Sequence, residues 1–380
     1  MKSKIILLSS INILLNNYFY QFLVFLFLLK GEFIIISEIT FLLAPLIFLK
    51  ESFSSNQRTV LLSDKRLSLY KVFFKQRILY ATLTLIIYLF FINYFVTSED
   101  ILFLIIIVIL IKFMWFNELT ITSYEINSDK KKIIENLIFL IILYMFFSYY
   151  IFFPSKNLLF IPLIILVALT FKYTYSSKIS FNIYKNIEFP KKINYRFLST
   201  ICLNLSNLIW RILFFILLEK EYSGILFSVF AIMSFPSSLY SNTIGMSLET
   251  QYKSKNIFKF ILMVYYFIIM YVMYYIFVNT IIPLNNSILS NFSITTGLLS
   301  FVGSLIMIFA ASKRIKIINY QKLKRKTLFQ LDILYSIINV LSLATVYIIL
   351  GSYFFSILFL ISSIFSLIYY FYNKKLNYSV

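Results

Sequence analysis

Between positions 197 and 218, Thr200, Asn204, Asn207 and Arg211 recur at i, i+4, i+7 and i+11 within an otherwise apolar stretch. That spacing puts them on one face of a helix. A guanidinium offers a forked donor set to a phosphate or carboxylate, and the two amides offer donors and acceptors to hydroxyls. Near the start of the chain, Ser9, Asn12, Asn16 and Tyr20 share a second such face, with Asn17 and Gln21 beside it. Two carboxylates, Glu38 and Asp332, also lie in apolar stretches, where a charge costs about 2.5–3.5 kcal/mol on insertion scales. The chemistry on offer is binding of a polar, anionic group and its coupling to a carboxylate. It is not bond-making. The 380 residues contain no histidine and a single cysteine, Cys202, which leaves no imidazole base, no thiolate zinc site and no intrachain disulfide. Six glycines, none opening GxGxxG, leave no phosphate-cradling loop. No cofactor is expected.

The elements that must carry these residues are membrane helices. Hydrophobic residues make up 61% of the chain and mean hydropathy is +0.87, more than one soluble core can bury. Crossing a bilayer core takes roughly 20 apolar residues. The pattern predicts about twelve crossings, an all-α polytopic protein. In the first half they are 5–29, 33–49, 78–96, 101–116, 133–153 and 158–173. In the second half they are 197–218, 225–248, 260–283, 292–311, 327–350 and 353–372. Residues 5–29 form too long an apolar run, without a small-residue cleavage site, to read as a signal peptide.

Of the 35 Lys and Arg, 29 fall in alternate gaps and only Lys30, Lys156 and Lys220 in the others, with Lys112, Lys172 and Arg211 inside spans. The positive-inside rule then puts both termini in the cytoplasm. The net charge of +20 is thereby explained by short juxtamembrane loops facing anionic lipids rather than by nucleic-acid binding. Reporter fusions after Lys75, Lys192 and Arg325 are expected to read cytoplasm. A periplasmic signal at Lys192 would remove the two-half layout.

That layout places one six-helix bundle at 1–175, a cytoplasmic linker at 176–196 and a second bundle at 197–380. The halves are weakly alike. An offset of 190 sets Ser9, Ile11, Leu15, Asn17 and Leu23 on identical residues, Tyr20 on Trp210 and Gln21 on Arg211. Spans two and eight each hold a proline, Pro45 and Pro236. Six spans per half make such repeats parallel, related by an axis along the membrane normal. Two readings of the polar faces stand. They are helix–helix hydrogen bonds in a packed bundle, or, favoured where whole faces recur in both halves, the lining of a hydrated cavity with Arg211 and Glu38 at comparable depth. On the cavity reading, Arg211, Asn204, Asn207, Thr200, Gln21, Asn17 and Tyr20 bind substrate, and Glu38 and Asp332 couple or gate.

The layout and some local text resemble the polysaccharide flippases of the multidrug/oligosaccharidyl-lipid/polysaccharide exporter superfamily. The similar segments are the outer turn Leu29-Lys30-Gly31-Glu32-Phe33, the basic stretch from Ser52 through Arg58 and Asp64-Lys65-Arg66 to Arg77, and Trp115-Phe116-Asn117-Glu118-Leu119. The resemblance implies a bacterial inner-membrane transporter that moves an undecaprenyl-pyrophosphate-linked oligosaccharide repeat, of O-antigen or capsule type, between leaflets. It implies a cavity lined by spans one, two, seven and eight, and a polysaccharide polymerase and chain-length regulator as partners. Arg211 would meet the diphosphate. The alternatives are a polysaccharide polymerase, against which the short arginine-free outer loops argue, a major-facilitator-type transporter and a non-transporting scaffold.

Overall fold

The computed structural model describes residues 2–54, 57–64, 67–95, 101–153, 195–239, 287–320 and 325–372. The described residues are almost entirely helical. They form α1 (Lys2–Asn17), α2 (Phe19–Leu29), α3 (Phe33–Ser54), α4 (Gln57–Asp64), α5 (Leu67–Phe95), α6 (Ile101–Ile126) and α7 (Lys130–Phe152). After residue 194 come α8 (Tyr195–Leu217), α9 (Lys220–Leu239), α10 (Ser287–Tyr320), α11 (Arg325–Leu350), a 3-10 turn (Ser352–Ile357) and α12 (Leu358–Tyr372). Among the described residues six helices are long and apolar enough to cross a membrane, or seven if the bent pair α1–α2 is one span. The protein is a multi-pass membrane protein. The expected spans 158–173 and 260–283, the end of 225–248 and nearly all of the linker 176–196 lie outside the described residues.

The first expected span is broken. α1 and α2 meet at Tyr18 with a bend of 63°. After α2 the chain turns through Gly31 at φ +76, a left-handed conformation that favours glycine. α6 extends ten residues beyond the expected end at Phe116. Six of those extra residues, Asn117, Leu119, Thr120, Ile121, Thr122 and Glu125, are buried.

Two compact units emerge. One comprises residues 1–26 and 45–197, the other residues 27–44 and 198–380. In the first unit α1 packs on α6 and α7, α5 on α6, and α4 on both α5 and α6. α7 shows why these sequences pack this way. Ile133, Asn136, Leu140, Leu143, Phe147 and Ile151 form its buried stripe, whereas Ile138, Ile142, Met145 and Tyr149 on the other side are exposed. An apolar exposed face is the lipid-facing side of a membrane helix, so hydrophobic periodicity marks packing only through its polar members.

In the second unit α10 packs on α9 and α12, and α11 on α12. The α10–α12 approach is close because its residues are small. A Cβ built on Gly303 would stand 2.9 Å from the Phe359 ring and 3.1 Å from the Leu360 Cα. Thr296, Ser300, Ser304 and Ser363 are fully buried on the two helices, the small-residue interface that lets membrane helices gain from dispersion contact.

Candidate functional site

In the first unit, polar residues gather around the break at Tyr18. Breaking a membrane helix frees backbone polar groups, and such breaks persist in lipid only where protein or a hydrated cavity satisfies them. Here a small open cleft with about 20 Å³ of accessible space is lined by Asn16, Asn17, Phe19, Tyr20, Gln21, Ile47, Lys50, Glu51, Ile111 and Met114. The cleft therefore brings together the three first-half residues expected to bind substrate, Asn17, Tyr20 and Gln21. The side-chain oxygen of Gln21 is buried and has no hydrogen-bond partner among the described residues. A buried orphan acceptor costs about 1–3 kcal/mol, which a hydroxyl or water entering the cleft would recover.

Lys50 connects this cleft to a group of cations beneath it. Its ammonium lies within electrostatic reach of Glu118, Glu51 and Arg77, and Lys112 is within reach of Lys50. The Arg77 side chain is completely buried. It donates from Nε to the Gln57 oxygen at 2.8 Å, donates to the Trp115 carbonyl and pairs with Glu118 at 3.0 Å. Lys112 donates to the Thr84 hydroxyl. Both cations also stand over the Trp115 ring, with Arg77 at 5.7 Å and Lys112 at 5.5 Å from its centroid, where the ring quadrupole attracts them. Of these charged groups, Lys50 and Glu51 line the cleft itself, while Arg77 and Lys112 are engaged by their own partners. A positive interior next to amide-lined space is suited to an anion carrying hydroxyls.

The rest of the α1 polar face is packed. Ser9, Asn12 and Asn16 are fully buried. Asn12 donates to the Ile133 carbonyl at 2.8 Å and Asn16 to the Met114 carbonyl at 2.7 Å. Asn117 donates to Asn16 at 3.0 Å, and Asn136 donates to Asn117 at 2.7 Å. The cavity lining expected of Ser9 and Asn12 is corrected to helix–helix hydrogen bonding, and Asn16 borders the cleft with its amide already engaged. Amides can reach neighbouring carbonyls without water, which the spacing of polar residues cannot reveal.

The α8 face behaves differently. Ser199, Ser206, Trp210 and Phe214 make its buried stripe. Thr200, Asn204 and Arg211 are half-buried, and Asn207 is exposed. The Asn204 amide nitrogen is buried without a hydrogen-bond partner among the described residues. Amides and a guanidinium on the outward side of a helix that is otherwise apolar enough to span a bilayer are costly against lipid. They are inexpensive against water or a polar ligand.

The two carboxylates have definite partners. Glu38, expected opposite Arg211, accepts from the Lys220 ammonium at 2.6 Å, with both side chains about half exposed. Asp332 is fully buried. It pairs with Arg314 at 3.0 Å, accepts from the Tyr370 hydroxyl at 2.5 Å and also accepts from the Ser199 hydroxyl. In the first unit Glu125 is held the same way. Ser9 donates to it at 2.6 Å and Arg58 pairs with it at 3.1 Å.

Lys50, Arg58, Arg77, Lys112, Glu118 and Glu125 are the residues that sequence reasoning misses. A count of charges per loop treats Lys50, Arg58 and Arg77 as orientation signals, and Lys112 reads as a snorkelling side chain. The available signal is the pair of acids, Glu118 and Glu125, within ten residues after Trp115. Carboxylates that close to an apolar run call for cations from other segments.

No protein-family model matches this sequence, and no curated protein or solved structure matches it either.

Proposed function

We propose that this chain is a transporter that moves an anionic, glycan-bearing lipid across the bacterial inner membrane. The substrate is an undecaprenyl-pyrophosphate-linked oligosaccharide repeat, and it passes from the cytoplasmic to the periplasmic leaflet by alternating access. The observation that carries this reading is the broken first helix. Its break borders a cleft lined by the amides Asn17 and Gln21, the Tyr20 ring and the Lys50 and Glu51 side chains. Discontinuous membrane helices are where transporters build their substrate sites. A diphosphate needs cations, a sugar needs amides and hydroxyls, and the polyprenyl tail can remain in lipid.

Twelve spans in two parallel six-helix halves, with both termini inside, complete the proposal. Two features support the duplication. At the offset of 190, Ser9 and Ser199 both donate to a buried carboxylate that is paired with an arginine. Tyr20 and Trp210 are both buried at that offset, while Gln21 and Arg211 are both half-buried.

The test is export in cells. Deleting the gene is expected to accumulate single lipid-linked repeats on the cytoplasmic leaflet. Arg211→Ala is expected to reproduce that defect with the protein still in the membrane. Arg211→Lys is expected to rescue in part, since an ammonium keeps the charge and loses the fork. Full export by Arg211→Leu would remove Arg211 from the transport reading. Polymerisation of repeats by the purified chain would replace transport with glycan synthesis.

A further inference from the structure

We infer that residues 27–44, the end of α2 with the first part of α3, form a clasp that seats on the α8–α9 corner and must unseat during the working cycle. This clasp deepens the transport reading and rests on it for what the opening achieves.

The first observation is where the segment belongs. Its chain neighbours on both sides, residues 1–26 and 45–197, form one compact unit, yet residues 27–44 pack in the other. A segment that leaves its own unit and returns is set by contacts at its destination.

Those contacts form a short row along α3. The backbone carbonyl of Phe33 meets α9 where Gly224 has no side chain. A Cβ there would overlap that oxygen, so only glycine permits the approach. One turn on, the Ser37 and Ser223 hydroxyls share a hydrogen bond of 2.5 Å, both fully buried. Next, Lys220 closes on Glu38 at 2.6 Å. Then Phe41 stacks on Phe215 of α8 at 4.1 Å with the rings nearly parallel. The set contains one half-exposed ion pair, one hydroxyl pair, one ring stack and one backbone contact. These contacts fix the register of the segment, with Ile36, Leu43 and Ala44 buried alongside them, and the half-exposed ion pair among them adds little that would hold it shut.

The second observation is that the chain has a bend or a proline near each end of the segment. On the α2 side stands the 63° break at Tyr18. On the α3 side Pro45, the first residue back in the original unit, lies within the helix and has no N–H to donate. The Glu38–Lys220 pair belongs to the end of α3 that the charge distribution assigns to the exterior, where water and salt reach it.

The test uses the full-length protein with Cys202→Ser, which removes its one native thiol. A Ser37→Cys, Ser223→Cys pair has its oxygens already 2.5 Å apart, within easy adjustment of a disulfide at about 2.05 Å. Mild oxidation is expected to link the pair and stop export, and reduction is expected to restore it. Labelling gives a readout that needs no cargo. Ser37→Cys alone should react slowly with a membrane-impermeant maleimide added outside. It should react several-fold faster when Gly224→Ala blocks the seat, or when Lys220→Glu sets two carboxylates against each other. Lys220 is half exposed, so this second variant keeps the test open if Gly224→Ala fails to fold. Equal labelling in folded parent and variants, or undiminished export by the linked protein, would overturn the clasp. Labelling that responds in cells where gene deletion accumulates no lipid-linked glycan keeps the clasp and removes the transport reading.

Discussion

Arg77→Ala is expected to destabilise the protein by about 3–5 kcal/mol, the cost of breaking a buried ion pair by removing one partner. Arg77 is completely enclosed and serves three oxygens, those of Gln57, the Trp115 carbonyl and Glu118. Removing the guanidinium leaves Glu118 as an anion in a protein interior at membrane depth. It also leaves a void beside Trp115, itself fully buried. The measurement is the half-life of monodisperse protein in detergent, together with the amount retained in membranes. The double variant Arg77→Leu, Glu118→Leu should recover much of the loss, because replacing both members with apolar groups avoids the stranded charge. A single alanine variant as long-lived as the parent would show that Arg77 is not held as described. Arg77→Lys should fall between the parent and the alanine variant, since one ammonium cannot serve three acceptors set around a planar fork.

Asp332→Ala is expected to cost a similar amount, about 3–5 kcal/mol on the same ground. Its two oxygens receive Arg314, Ser199 and Tyr370, from α10, α8 and α12 respectively. The carboxylate therefore ties three helices to α11. Asp332→Asn should cost less, because an amide keeps one acceptor and the Arg314 side chain is exposed enough to turn toward water. This geometry supports an anchoring role for Asp332 over the coupling role expected of it. The two roles separate cleanly. An anchor loses stability and export together in Asp332→Asn, whereas a coupling carboxylate loses export alone at parental stability.

Much of the fold is legible in the apolar runs, because lipid demands that each run satisfy its own backbone and so forces helices wherever the runs occur. Gly31 marks the turn after α2 because its left-handed backbone favours glycine. Tyr18 carries no such mark. The chain breaks there without proline or glycine, at a point where Phe19 is seated edge-on against Tyr144 and Phe147 of α7. Polarity picks out Asn17, Tyr20 and Gln21, and these do reach the cleft. Ser9 and Asn12 look the same in sequence and do not, since they donate to groups on α6 and α7 instead. Depth alone matches Glu38 to Arg211. Depth fixes one coordinate of three, and Lys220 at the short α8–α9 turn occupies the remaining two. Arg58 and Arg77 are hidden by reasoning that succeeds elsewhere, because a count of positive charges per loop does not distinguish a solvated side chain from one withdrawn into protein.

The Arg77–Glu118 pair also constrains the order of synthesis. α5 leaves the ribosome with Arg77 toward the end that the charge distribution assigns to the cytoplasm, and the acid that neutralises it lies near the far end of the following helix. Until α6 has entered the membrane the guanidinium has no Glu118 to meet, and it must stay at the lipid headgroups with the helix displaced along the bilayer normal. α5 is therefore expected to reach its final depth only when α6 arrives. The two helices are in effect a single insertion event, and a ribosome stalled between them would leave α5 parked at the surface.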